Sequence, residues 1–427
     1  MSFTPIQEIL TEQYEGKQVS IRGWIYRKRE TKQTIFLIVR DGSSIVQCTA
    51  KVGTPSWKDA SRVTIESSVT LSGIVTRDKR APGGFEVAVN DLEIVGLAEA
   101  FPITRDKSEE FLRDVRHLWL RSRKMNAILK VRSEVLKFVH ECFKEQSFIE
   151  VSPPMFISSA VEGGATLFGL KYFDRDMYLT QSAQLHLEAL IHSYEKVYCI
   201  APSFRAEKSR TIRHLTEYWH VEAEEAFTTL DDLMRLEENL VSYICQETAK
   251  QCRSELELVG IDTSALSQVK TPFPRITYNE AIEKLHEKGF KIPWGEDLGF
   301  NEEKALGAEY EKPFFIHAYP KKIRAFYVKA YPDNPKLVMS VDLLVPHIGE
   351  LATGGARVDD QDELMRNLEE FGLPKESYSW YIDLRKYGTV PHTGFGMGVE
   401  RLLAWMLNLG NIMDAIPFPR TIRRAYP

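Results

Sequence analysis

The sequence predicts an α+β protein in two parts: a small five-stranded β-barrel or sandwich, then a larger domain built on a mostly antiparallel sheet flanked by helices. Three observations carry this. Short runs of alternating apolar and polar residues fill the first hundred positions, the apolar period becomes helical near Arg121, and beyond it strands and helices mix without regular β-α-β alternation.

The first part rests on five runs, "QVSIRGWIY", "TIFLIVRD", "SIVQCTA", "SVTLSGIV" and "FEVAVNDLEIVG", separated by Gly, Asp and Ser turn signals. The stretch "GLAEAFPITRDKSEEFLRDVRHLWLRSRK" then turns polar and charged and reads as a hinge. The expected boundaries are residues 1–100, a hinge at 101–120, and 121–427. In the second part Met125, Ile128, Leu129, Val135, Leu136, Val139 and Cys142 fall near one face of a helix.

A chain of 427 residues, 43% of them hydrophobic, can fill two cores. No run approaches the roughly 20 apolar residues of a membrane span, and the opening residues lack the basic-then-apolar order of a signal peptide. A cytoplasmic protein without a membrane partner is expected. The five cysteines are odd in number and scattered, with no C-x-x-C pair, which argues against a disulfide framework or a structural zinc site. A net charge of -5 carries no global nucleic-acid signature. Locally, "GKQVSIRGWIYRKRETK" is strongly basic and interleaved with Trp24 and Tyr26.

Three stretches carry chemistry. "EKVYCIAPSFRAEKSRTIRHLTEYWHVEAEEAF" reads as a long β-hairpin; alternation puts Ser203, Arg205 and Glu207 on one face of its first strand, and Tyr218, His220, Glu222 and Glu224 on one face of its second. Charges of both signs beside apolar neighbours favour a binding face over a solvated one. In "LVMSVDLLVPHIGELATGGARVDD", Ser340 and Asp342 share a strand face and Glu350 follows a short turn. Such a carboxylate pair suits Mg2+, which takes one or two protein carboxylates and completes its shell with water and phosphate. "HTGFGMGVERLLAWM" sets Gly394, Gly396 and Gly398 before an arginine that opens an apolar helix. Val399 stands where a dinucleotide fingerprint has its last glycine, so a Rossmann unit is disfavoured.

Together these stretches resemble the class II aminoacyl-tRNA synthetases. "FIEVSPPMF", ending in Pro154, looks like their motif 1; "SFRAE" followed by "RHLTEY" resembles motif 2; "GFGMGVERL" looks like motif 3. The resemblance covers essentially the whole chain, because the N-terminal strands are similar to the OB-fold anticodon-binding domain of the aspartyl, asparaginyl and lysyl subgroup. It implies that Arg401 binds the ATP γ-phosphate, that Arg205 grips the α-phosphate, and that Tyr218 stacks on adenine with Glu207 and His214 completing the site. The motif 3 glycines would let backbone approach the nucleotide. Asp342 and Glu350 match the Mg2+ ligands, and Glu350 also belongs to the nucleotide site. The implied reaction is attack of an amino-acid carboxylate on the α-phosphate, then transfer to the tRNA 3' end.

The segment "VEGGATLFGLKYFDRDMYLTQSAQLHLEALI" resembles the subgroup's amino-acid pocket. Glu162 matches the residue that receives the α-ammonium, and Gln181 and Gln184 lie in the Q-S-x-Q element. Aspartyl members place a lysine where this chain has Leu187, followed by Glu188. A pocket without that cation cannot offset the desolvation of a carboxylate. The reading therefore has Glu188 accept from an amide NH2 while Arg357 donates to the carbonyl oxygen, and L-asparagine is the expected substrate. Ala356 stands where the family often has glutamine before that arginine. The RNA partner implied is tRNA-Asn, with Arg29, Phe36 and Gln47 matching residues that read the central anticodon base. The helix before Pro154 resembles the family's dimer element, implying a homodimer. Rival readings are an aspartyl enzyme, possibly non-discriminating; an asparagine-making paralogue, whose relatives generally lack the OB domain; and a catalytically silent tRNA-binding or amino-acid-sensing protein.

Overall fold

A computed structural model describes residues 2–158, 166–208 and 214–427. The chain divides into two compact units, Met1–Glu109 and Glu110–Pro427.

In the first unit the five alternating runs become β1 (Gln18–Glu30), β2 (Thr34–Arg40), β3 (Ile45–Lys51), β4 (Ser68–Arg77) and β5 (Phe85–Gly96). They close a barrel in the order β1-β2-β3-β5-β4. Alternation turns Ile21 and Ile25, Ile35, Leu37 and Val39, and Val87 and Val89 into one core, leaving the intervening residues outside. Arg29 pairs across strands with Phe36, and Gln47 with Ile38. Period 2 therefore puts Arg29, Phe36 and Gln47 on one outer face. Arg40 lies over the rings of Trp24 and Tyr26 on the same barrel.

The second unit holds a nine-stranded sheet among the described residues, ordered β12-β13-β15-β16-β17-β11-β10-β6, with β14 beside β15. Its strands are β6 (Ile149–Glu150), β10 (Lys196–Phe204), β11 (Glu217–Ala226), β12 (Arg275–Thr277), β13 (Phe314–Pro320), β14 (Ala330–Tyr331), β15 (Asn334–Val345), β16 (Gly349–Ala356) and β17 (His392–Gly398). Only the pairs β10–β6 and β12–β13 are parallel. A smaller sheet contains β7 (Phe156–Ile157), β8 (Gly169–Tyr172) and β9 (Arg175–Leu179). The Leu230–Gln251 helix starts with a capping box at Thr229 and packs on β15, β16 and β17. No described helix is long and apolar enough to cross a membrane.

Two expectations change. The segment 110–120 is part of the second unit, not of a hinge running to residue 120. Its Arg116 is 1% exposed, donates to the carbonyls of Met413, Ile416 and Pro417, and pairs with Asp414. A charge-rich stretch looked solvated because its acceptors lie about three hundred residues away in sequence. On the Arg123–Glu145 helix the predicted face is buried at Met125, Ile128, Val135, Val139 and Cys142, but Leu129 and Leu136 are only half-buried. All five cysteines are buried and unpaired, and burial pushes the Cys142 thiol up to about 11.

Candidate active site

A cavity of about 370 Å³ opens over β11, β16 and β17, and its walls come from residues far apart in sequence. The hairpin forms one wall. β10 and β11 pair in the register Ser203 opposite Tyr218 and Cys199 opposite Glu222. Tyr218, His220, Glu222 and Glu224 all line the cavity, as their shared strand face requires. Arg205 follows the end of β10, its backbone N–H donating to Thr216 (3.0 Å), and its guanidinium lies 5.7 Å from the Tyr218 ring centre. Glu207 and His214 also line the space.

Arg401 enters from the helix Val399–Met406, which β17 feeds directly. It donates to the Glu350 carboxylate (2.8 Å) and carbonyl (3.1 Å). Burial alone would raise the Glu350 carboxyl, but Arg401, Arg324 and Arg205 together hold it below the usual carboxylate range. Burial, reinforced by Arg205 and Arg401, depresses the His220 imidazole to about 3, so it stays neutral amid the arginines.

Asp342 stands beside the cavity, 5% exposed, with Oδ2 on the Arg324 guanidinium at 2.5 Å. Its Oδ1 is buried without a hydrogen-bond partner among the described residues. An orphaned carboxylate oxygen near a second carboxylate fits a hard cation that brings most of its own shell. No cluster of three or more potential metal ligands occurs among the described residues.

At the other end, Arg357 and Glu224 form a fork at 2.5 and 3.0 Å, 4% and 1% exposed. Burial would weaken the charge on Arg357; Glu224 more than offsets this and raises its pKa. Glu222 is held by the hydroxyl of Ser182 and the backbone N–H of Ala183 (2.9 Å). Gln184 lines the cavity at the start of the Gln184–Tyr194 helix.

The predicted residues thus sort unevenly. Arg205, Glu207, His214, Tyr218, Glu350, Arg401, Gln184 and Arg357 line one cavity. Glu162 lies outside the described residues. Gln181, 1% exposed, is turned to Thr166 (2.7 Å). Glu188 does not line the cavity: it is fully buried one helical turn behind Gln184, taking bonds from Gln184 (3.0 Å), Tyr381 (2.6 Å), Arg385 (2.6 Å) and His392 (3.0 Å). The carboxylate that does face the cavity beside Arg357 is Glu224, which sequence reading placed on the polar hairpin face without a role.

Of the motif 3 glycines, Gly396 and Gly398 line the cavity, and none of the three has a positive φ, so what a side chain there would meet is what matters. A Cβ on Gly394 would overlap the Glu224 carboxyl group, and one on Gly354 would fall 2.9 Å from Glu237 Oε1. Two glycines clear space for buried acids.

Residues 108–422 match the family described as tRNA synthetases class II (D, K and N), and residues 19–95 match the OB-fold nucleic acid binding domain. The chain is 50% identical over 422 residues to the asparagine–tRNA ligase of Thermococcus kodakarensis, covering 98% of each. It is 49% identical over 416 residues to that of Thermococcus gammatolerans, covering 97% of each. It superposes with a TM-score of 0.97 on the crystal structure of asparaginyl-tRNA synthetase from Pyrococcus horikoshii complexed with asparaginyl-adenylate, at 46% identity and full coverage of both chains.

Proposed function

We infer the activity from one premise: the chain belongs to the class II tRNA synthetases of the D, K and N group. It is an asparagine–tRNA ligase, activating L-asparagine with ATP and transferring it to the 3' end of tRNA-Asn. The observation that carries the choice of amino acid is the buried Glu224–Arg357 pair at one end of the cavity, with Leu187 where a lysine would serve aspartate.

In the first step an asparagine carboxylate oxygen bonds to the ATP α-phosphorus as pyrophosphate leaves with the bridging electron pair. In the second, a terminal tRNA hydroxyl attacks the mixed anhydride, and AMP leaves. Neither step needs a strong protein base; both need alignment and neutralised phosphate charge. Arg205 holds the α-phosphate, Arg401 the γ-phosphate, and Tyr218 the adenine face, with Glu207 and His214 beside it. Asp342 and Glu350 would hold Mg2+, which supplies charge neutralisation to the phosphate oxygens when bound.

Glu224, rather than Glu188, accepts from the carboxamide NH2, while Arg357 donates to its oxygen. Glu162 receives the α-ammonium, with Glu222 and the Q-S-x-Q residues Gln181 and Gln184 on the same side. An aspartate carboxylate would set two anions face to face with no added cation, a cost that a fixed buried site does not relieve. On the barrel, Phe36 stacks on the central anticodon base, with Gln47 and Arg29 beside it. The enzyme acts in the cytoplasm, and as a homodimer, the latter reading supported by half-buried Leu129 and Leu136 and by Ile149, 44% exposed.

ATP–pyrophosphate exchange tests the assignment. Exchange with asparagine and not aspartate is expected; equal exchange with both would remove it.

A further inference from the structure

The Gln184–Tyr194 helix puts Gln184 and Glu188 one turn apart on a single face, the first at the cavity wall and the second behind it. Three donors from distant segments converge on Glu188 Oε2: Tyr381 and Arg385 from the helix Ser379–Lys386, and His392 from the start of β17. That leaves Oε1 for the Gln184 side chain, whose Nε2 sits 3.0 Å away. The group is rigid, since Arg385 also donates to the Val358 carbonyl and to the Tyr381 hydroxyl.

A glutamine amide has a donor end and an acceptor end of nearly the same shape. An ionised carboxylate only accepts, so it dictates which end faces it. Burial alone would raise the Glu188 carboxyl, but Arg385, His392 and Arg357 hold it well below the usual carboxylate range. Turning the amide over would exchange a charge-assisted bond for two oxygens in contact, a preference of roughly ten- to a hundred-fold for the observed orientation.

We propose that Glu188 is a positioning residue for substrate selection: by fixing the Gln184 amide nitrogen inward, it turns the Gln184 oxygen to the cavity as an acceptor for substrate nitrogen. Around Arg357 the cavity then offers acceptors at Gln184, Glu222 and Glu224, a pattern that favours amine and amide nitrogen over a carboxylate at that end. This rests on the asparagine-activating reading above and adds how that selectivity is wired.

The test is ATP–pyrophosphate exchange, with asparagine, aspartate and ATP each varied, on wild type and three variants of the full chain. In Glu188→Gln, Arg385 and Tyr381 keep the new amide oxygen, its nitrogen faces residue 184, and Gln184 must turn a donor to the cavity. We expect the asparagine KM to rise about tenfold or more, the preference for asparagine over aspartate to shrink by a similar factor, and the ATP KM to stay within about twofold. The exchanged pair Glu188→Gln with Gln184→Glu points an acceptor at the cavity again, so it recovers the preference for asparagine. Gln184→Met removes only the bond to Glu188 Oε1, keeps the Tyr381, Arg385 and His392 bonds to Oε2, and raises the asparagine KM without the ATP KM, which keeps the question open to refutation if Glu188→Gln does not fold. An unchanged asparagine KM in Gln184→Met, an ATP KM rising in step with that of asparagine in Glu188→Gln, or no recovery in the exchanged pair would each overturn the proposal. If wild type exchanges no asparagine, the assigned activity falls and this inference with it; if wild type does and Glu188→Gln matches it, only the inference falls.

Discussion

The two ends of the cavity are built on opposite plans. At the end proposed for the amino acid, Glu188, Glu222, Glu224 and Arg357 are each under a tenth exposed and committed to one another or to buried neighbours. At the end proposed for the nucleotide, Arg205, Tyr218 and His214 are half-buried, and the Arg401 side chain keeps 21% exposure while resting on Glu350. The contrast suits the tasks proposed for the two ends. Telling a carboxamide from a carboxylate requires dipoles that do not reorient, because a site that relaxes around the wrong ligand loses its discrimination. Binding a polyanion and releasing pyrophosphate needs charge more than rigidity, and partly solvated cations give up their ligand.

Breaking the rigid end has the largest effect. Arg357→Leu leaves Glu224 buried and unpaired, with an expected loss of about 3–5 kcal/mol in stability by urea unfolding and no asparagine exchange. A folded variant with wild-type stability would show that the fork is not what holds this end together. Arg401→Ala should act on the other end only: the ATP KM rises roughly ten- to a hundred-fold while the asparagine-to-aspartate ratio holds, as expected for one charged hydrogen-bond partner. A changed ratio would erase the division between the ends. A third region sharpens it further. Phe36→Ala on the barrel should weaken tRNA binding by about 1–3 kcal/mol, read as a raised tRNA KM in aminoacylation, with exchange unaltered.

The smallest effect concerns His220, which lies between the two ends. Unfolded, its imidazole takes up a proton below about 6.5; folded, it does not until about 3. Stability is therefore fully present above pH 6.5 and falls as pH drops toward 3, by about 1 kcal/mol for the first unit below 6.5. His220→Gln should flatten that part of a urea-midpoint profile, and an unaltered slope would assign it to other groups.

How much of this was legible in the sequence depends on the range of the interactions involved. The barrel strands and the hairpin were readable because period-2 alternation is local: β1 to β5 and the shared face of Tyr218, His220, Glu222 and Glu224 follow from it. The roles of Glu188 and Glu224 were not. Both are acids near the Q-S-x-Q and motif 2 elements, and what separates them is that Tyr381, Arg385 and His392, some two hundred residues on, close over the first. Arg116 was lost to the hinge reading for the same reason. The motif 3 glycines stood out in the sequence, but nothing in their spacing announces the Glu224 carboxyl beside Gly394.

That last neighbour has a consequence for how this protein can change. A single methyl group at position 394 would dislodge the Glu224 carboxyl, the acid proposed to sort ligands, while the residue there keeps an ordinary backbone conformation. On that proposal, divergence toward another amino acid is open through the smallest possible side chain: a drift from glycine to alanine there would be silent in the backbone and audible in which amino acid reaches the tRNA.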